Sequence, residues 1–285
     1  MQEISEQVFI ERSYPGVTLG LINYSHGLVL IDAPLRAEDG RAWRASLLNL
    51  SGGVDRLLVN LDAHIDRTLG ARAMECTVAG HERMVPAFRN RPVTFKSQGV
   101  ETGAEWELYS SPVNIRWALP EITFSVKMQV HWDSSPLILE HHPGPSGSAI
   151  WAVLPHLNVA FIGDAVVYDQ PPFLATADLP AWLRTLDLLA SPVYQNYLLV
   201  NGRNGLITQK HVRLMRDFLT EIQGMLKQLA ESKATAADTV ALVPVLLKFF
   251  EFPAERTELY TNRLKWGLSR CFTRHFSPTG EDLDE

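Results

Sequence analysis

Cysteine is scarce: 285 residues contain two, Cys76 and Cys271, far apart and in no CxxC or other ligand spacing. Nothing in that pattern supports a disulfide framework or a thiolate metal site, and two reduced, semi-buried thiols of a cytoplasmic protein are expected. Positive charge is also in short supply. Lys and Arg number 26 against 32 Asp and Glu, a net charge of −6, and no basic stretch offers a surface for phosphates, so no nucleic-acid partner is expected. No apolar run approaches the length of a membrane span. The first residues, MQEISEQVFIERSYPG, lack the cationic start and apolar core of a secretory signal. Repeats and low-complexity linkers are missing too. What remains is ordinary globular composition, 46% apolar and 20% charged, with chain enough for one large domain or two small ones.

The first half reads as strands and turns. VTLGLINY (17–24) and LVLIDAP (28–34) are β-branched apolar runs separated by Ser25-His26-Gly27, a hairpin signal. Glu38 to Leu50 places Trp43, Leu47, Leu48 and Leu50 at helical spacing, with Asp39 near its start and Gly52-Gly53 at its end. RLLVNL (56–61) is a short continuous apolar run, the mark of a buried strand. From Val93 to about Val167 the pattern is strand-rich, with ITFSVKMQVHW (122–132), PLILEHH (136–142), AIWAVLP (149–155) and VAFIGDAVV (159–167) as strands. Ala181 to Ala190 reads as an amphipathic helix and YLLVNG (197–202) as a strand. From about Thr208 the chain is helical, and Pro244 should break or kink one of its segments. Two strand-rich halves, each followed by helix, favour two packed sheets with helices outside.

Strand 56–61 ends in Asp62-Ala63-His64-Ile65-Asp66-Arg67. Alternate residues of an extended segment point the same way, so Asp62, His64 and Asp66 can converge. The bland alternative is a solvated loop whose Asp66 or Thr68 caps the next helix. Four segments in order alter that balance: LVLIDAPL, RLLVNLDAHIDRTLG, HHPGPSGSAIWAVLPHLNVAFIGDAVV and LLVNGRNGL. Their order and spacing resemble the metallo-β-lactamase superfamily, whose motifs there are LIDtG, THxHxDH, GHTPGS followed by a FtGD strand pair, and PGHG. LPEITFSVKMQVHW (119–132) and PAWLRTLDLL (180–189) extend the resemblance, which spans about residues 8 to 220.

The resemblance implies an α/β (α+β) fold, a four-layer αββα sandwich of the metallo-β-lactamase type over residues 1–205, with a C-terminal helical extension, 206–285, packed on it. It also implies a two-metal site, but most ligand positions have changed. Asp62 stands at the first histidine, Arg67 at the fourth ligand, Pro145 at the third motif's histidine and Arg203 at the last. His64, Asp66 and Asp164 keep the family residue. Arginine stays protonated and cannot bind a cation, whereas it can neutralise clustered carboxylates through bidentate hydrogen bonds. A metal-free network of Asp62, Asp66 and Asp164 against Arg67 and Arg203, completed by a protonated His64, is therefore expected, with no cofactor.

That makes the chain a fold member with a degenerate metal centre, non-catalytic or strongly diverged. One alternative is a divergent hydrolase of an ester, thioester or similar bond. It would hold one zinc, iron or manganese ion on Asp62, His64 and Asp164, with Asp66 or Asp164 activating water. His141 or His142 would join that site only if the loop through Pro143-Gly144-Pro145 were re-routed; otherwise both are strand-end residues. Another alternative is a binder of an anionic small molecule gripped by Arg67 and Arg203. His26, His81, His131, His156, His211 and His275 read as surface or packing residues, and Asp32 as a loop-fixing acceptor. Phe249, Phe250, Phe252, Tyr260 and Trp266 are expected to pack the tail on the sandwich or on a second copy of the chain, a homo-oligomer through the tail.

Overall fold

The structure, a computed structural model, describes residues 1–48, 50, 53, 55–91, 101–109 and 117–276. Gly52 and the start of the strand-rich stretch after Val93 lie outside the described residues. In chain order the elements begin with β1 (Gln2–Ser5), β2 (Val8–Glu11), β3 (Leu19–Asn23), β4 (Gly27–Ile31), α1 (Ala37–Ser46) and β5 (Asp55–Val59). Then come α2 (Ile65–Thr68), β6 (Thr77–His81), α3 (Met84–Asn90), β7 (Ile122–Phe124), β8 (Lys127–Val130), β9 (Leu137–His141) and β10 (Ile150–Leu154). The second half adds β11 (Val159–Gly163), α4 (Leu179–Leu189), β12 (Leu198–Asn201), β13 (Gly205–Ile207), α5 (Gln209–Glu231), α6 (Val243–Leu246) and α7 (Thr257–Phe276).

β1 to β7 form one sheet in sequence order, and β13-β12-β11-β10-β9-β8 form the other. The expected hairpin is the antiparallel β3–β4 pair, and β4, β5 and β6 run parallel. Strands buried on both faces need apolar residues at every position, and the two parities go to different layers. In β4, Val29 and Ile31 face the space between the sheets, while Leu28 and Leu30 pack with Trp43 of α1. In β10 and β11, Ile150, Ala152 and Phe161 meet the first sheet, while Trp151, Val153 and Ile162 pack under α4, α5 and α7. The result is the helix–sheet–sheet–helix layering expected from the sequence.

Three boundaries differ from expectation. The 122–132 run is two strands in different sheets, β7 beside β6 and β8 beside β9. At the crossover the Ser125 carbonyl lies 2.9 Å from His81 Nε2, and the Val126 carbonyl accepts the His141 N–H. The two imidazoles stack at 3.9 Å, so His81, read as a surface or packing residue, and His141, read as a strand-end residue, pin the bend from both sheets. The first helix stops at Ser46; Asp39 sits in its first turn, paired with Arg36 rather than capping it. Pro244, by contrast, does break the helical stretch as expected: it occupies the first turn of the short α6, where its missing N–H costs nothing. The boundary expected at 205/206 falls inside β13, which extends the second sheet.

Gly20 of β3 sets the separation of the sheets: a Cβ there would lie 2.4 Å from the Phe161 ring and 2.9 Å from Ile31 Cβ. Gly20→Ala should therefore lower the unfolding free energy by about 1–3 kcal/mol. Phe161→Leu in the same chain should recover part of the loss, both read by urea denaturation.

Candidate functional site

Parallel strands of both sheets end at one edge of the sandwich. From the first sheet come Asp32, after β4, and Asp62 and His64, after β5, with Asp66 and Arg67 in α2. From the second come Asp164, after β11, and Arg203, between β12 and β13. Pro145 shares a cavity wall with Asp62, His64 and Asp164. All the positions expected from the sequence are thus gathered at one place.

Arg67 lies at the centre, with 1% of its side chain exposed. Its Nη1 donates to Asp32 Oδ2 at 3.0 Å, and its Nη2 donates to Asp164 Oδ1. Its Nε is 3.0 Å from Asp62 Oδ1, an ion pair without hydrogen-bond alignment. Arg203, equally buried, gives Nε and Nη2 to Asp164 Oδ2 at 3.0 and 2.8 Å. Its Nη1 reaches Asp66 Oδ2 and the Gly16 carbonyl, both at 3.1 Å. Both oxygens of Asp164 are therefore held by guanidinium groups. Gly202 makes this approach possible, since a Cβ there would stand 2.8 Å from both Arg67 Nη atoms and from Asp164 Oδ1.

His64 caps α2, its Nδ1 accepting the Asp66 N–H at 3.2 Å and lying 3.3 Å from Arg203 Nη2. Two donors on Nδ1 put the ring proton on Nε2 and leave the imidazole neutral. Burial, helped by Arg203, pushes its pKa down to about 3. This corrects two expectations: His64 is not a cation of the network, and neither Asp66 nor Thr68 caps α2. Asp66 instead accepts the backbone N–H groups of Glu105 and Trp106 at 3.1 and 3.0 Å.

The missing charge balance is met elsewhere. Asp32 accepts the Leu61 N–H at 2.9 Å, as a loop-fixing residue should, but it is also a fourth carboxylate of the cluster. Burial pushes its pKa up to about 7, and burial likewise raises that of Asp62 against the pull of Arg67. Burial is outweighed at Asp66 by the neighbouring His64, by Arg203 and by two backbone N–H groups, and at Asp164 by Arg203 and Arg67, so both carboxyls sit below the usual range. Protons on the raised pair, rather than an imidazolium, can offset the surplus negative charge.

The residues do not suit a metal. A divalent cation needs carboxylate and imidazole lone pairs, and here guanidinium and backbone donors hold both oxygens of Asp164, Asp62 Oδ1 and His64 Nδ1. Among the described residues no group of three or more His, Cys, Asp or Glu side chains is arranged to hold a metal ion. His141 and His142 stand apart from the cluster, stacked on His81 and on Trp151. The Arg67 and Arg203 guanidinium groups, which one reading assigned to an external anion, face aspartates of the chain itself, and Arg203 also donates to the Gly16 carbonyl.

The sequence reading missed the tail's part in the site. Arg256 pairs with Glu105 at 2.6 Å, and fully buried Arg263 donates to the Gly103 and Pro171 carbonyls and to Gln170. Phe173 carries His64 at 4.2 Å, Arg203 at 4.6 Å and Arg263 at 4.1 Å on one ring. Its loop has no periodicity to betray it. Phe250 and Tyr260 pack inward as expected, whereas Trp266 lines a cavity. Both cysteines are free thiols, and no described helix is long and apolar enough to cross a membrane.

No protein-family profile and no curated protein sequence matches the chain. Solved structures do. A metallo-β-lactamase from Pontibacter korlensis superposes at a TM-score of 0.61 with 19% identity, over 77% of this chain and 97% of its own. A metallo-β-lactamase family protein from Thermus thermophilus gives 0.63 and 18%, over 94% and 93%. A stereoselective inverting sec-alkylsulfatase from Pseudomonas sp. gives 0.71 and 16%, over 98% of this chain and 50% of its own. This chain thus spans half the length of that sulfatase, and the match takes in the C-terminal helices. At these identities the likeness establishes the fold.

Removing one partner of a buried ion network leaves the others uncompensated. Arg67→Met should lower the unfolding free energy by about 3–5 kcal/mol in urea denaturation; a loss below about 1 kcal/mol, the value of a surface pair, would contradict the network. Acid should act through His64. Above its ordinary value of 6.5 both states are neutral; below it the unfolded ring takes a proton that the folded ring refuses down to about pH 3. Stability is lost across that window, and His64→Asn lacks this loss. The stability gap between wild type and variant should shift in the variant's favour as pH falls below 6.5, and a gap constant with pH would rule the idea out.

Proposed function

We propose that this chain, built on the metallo-β-lactamase fold, is a non-catalytic relative of the metallo-hydrolases. In it an internal guanidinium–carboxylate network stands in for the metal centre, and the scaffold is kept for binding. The observation that carries this reading is the pairing of Arg67 and Arg203 with both oxygens of Asp164, the aspartate that would otherwise bridge two metals. Three further carboxylates, Asp32, Asp62 and Asp66, complete the shell. A dinuclear centre generates hydroxide because cations lower the pKa of bound water. Guanidinium groups supply the positive charge but have no vacant orbital for water, so the charge is matched and the Lewis acidity is not.

The single-ion alternative on Asp62, His64 and Asp164 would have to displace Arg67 and Arg203 from Asp164, re-exposing two buried cations. No observation at the site favours it. Protein purified without added metal should carry well under one equivalent of zinc, iron or manganese by elemental analysis. It should hydrolyse ester, thioester, β-lactam and phosphodiester substrates no faster than buffer, with or without added zinc. Stoichiometric metal, or hydrolysis that a chelator abolishes, would overturn the reading.

A further inference from the structure

Beside the network lies a cavity of about 350 Å³, within the size range of small-ligand sites. Its walls are mainly apolar, with Ile65, Trp106, Phe173 and Trp266 as the large side chains, and Asp62, His64 and Asp164 bring the edge of the network into it. The wall's charges are met within the chain. Both oxygens of Asp164 are held by guanidinium groups, and Asp62 faces Arg67. Arg91 donates to the Ala63 carbonyl at 2.6 Å and lies over the Phe88 and Trp117 rings. Arg274 is also engaged within the chain, and Arg270 lies on the face of Trp266 at 4.5 Å.

Two polar atoms are left for the cavity. His64 is fixed in place, because its Nδ1 takes the Asp66 N–H at 3.2 Å, stands 3.3 Å from Arg203 Nη2, and its ring lies on Phe173 at 4.2 Å. The ring proton is therefore on Nε2, and that N–H has no partner among the described residues. Asp62 spends Oδ1 on the His64 backbone N–H at 2.8 Å and on Arg67, and its Oδ2 takes no hydrogen bond among the described residues. Asp62 is only 3% exposed, and the cavity it lines is where Oδ2 can find a partner. Buried polar atoms left open are costly. A donor and an acceptor two residues apart on one wall match a group that presents an acceptor and a donor together. An uncharged amide does so, its carbonyl taking the His64 Nε2–H and its N–H going to Asp62. A protonated Asp62 is served as well, since the amide oxygen can accept from both.

We propose that this cavity binds an uncharged amide with a flat apolar body. His64 Nε2 and Asp62 Oδ2 hold the head, and Trp106, Phe173 and Trp266 enclose the body. The proposal rests on the metal-free reading and deepens it, since a metal on Asp62, His64 and Asp164 would compete for the same side chains.

Titration calorimetry on the full chain tests it with three probes that share one body: naphthylacetamide, naphthylacetate and naphthylethylammonium. Each is run on untreated and on EDTA-treated protein. The amide should bind saturably at one site, tighter than either ion by about tenfold or more, a margin of about 1.4 kcal/mol. Chelation should change nothing. His64→Asn, whose shorter side chain caps α2 but brings no Nε2–H to the cavity, should weaken the amide by a similar factor, with thermal unfolding confirming that the variant is folded. If it is not, the comparison of the three head groups in the wild type decides alone. The carboxylate is the probe that Arg270 would favour, and either ion binding as tightly as the amide would overturn the proposal. So would a folded His64→Asn variant that binds the amide like the wild type. Metal-free protein that shows no saturable amide binding at submillimolar concentration would overturn the proposal and leave the metal-free reading standing. Amide binding lost with EDTA and restored by zinc would overturn both. Stoichiometric zinc with amide binding indifferent to chelation would overturn only the metal-free reading and support the amide site.

Discussion

A guanidinium withdrawn from water must have its charge met by groups that are themselves held in place, because the desolvation of each buried ion is worth several kcal/mol. Arg67 is in that position, and much of the site's edge is arranged around it. Its three carboxylate partners come from two sheets: Asp32 and Asp62 from the first, Asp164 from the second. The ion cluster therefore ties strand ends of the two sheets to each other. Arg203 repeats the device in the opposite direction, reaching from the second sheet to Asp66 in α2. Gly202, next to it, leaves the room that Arg67 and Asp164 occupy, since atoms of both lie where a Cβ would stand.

The C-terminal helices are as much a part of this edge as the strands are. Arg256 and Arg263 are bonded to the 103–105 segment, and the backbone of Glu105 is in turn a donor to Asp66. Phe173 completes the link, with a tail arginine, a network arginine and the capping histidine all against one ring. A segment that reads in the sequence as an addition after a finished domain is in the structure the outer wall of the site.

The sandwich was legible because burial on both faces leaves a direct mark, continuous apolar strands, and because four motif segments kept their order. The place of Arg67 and Arg203 at the sandwich edge was legible too, since both lie in segments whose order and spacing resemble the family's motifs. The protonation states were not. His64 is neutral because of desolvation and of two donors converging on Nδ1, one of them from a residue 139 positions away, and no local pattern records that. Asp32 looked like a loop acceptor because its second partner, Arg67, is 35 residues distant. The 122–132 run looked like one strand because alternation continues across Ser125, where the chain changes sheets.

The way the two arginines share Asp164 also bears on how such a site can change by mutation. Each guanidinium serves at least two carboxylates, so exchanging one of them for histidine restores a single ligand while stripping counter-charge from several buried aspartates at once. The intermediate would have neither a complete set of metal ligands nor a neutralised cluster. On the proposed metal-free reading, a metal-binding site could be reached from this arrangement only by changing several positions together. In that sense the shared aspartate works as a ratchet: the pairing that steadies the fold also stands against any single substitution that would free its oxygens.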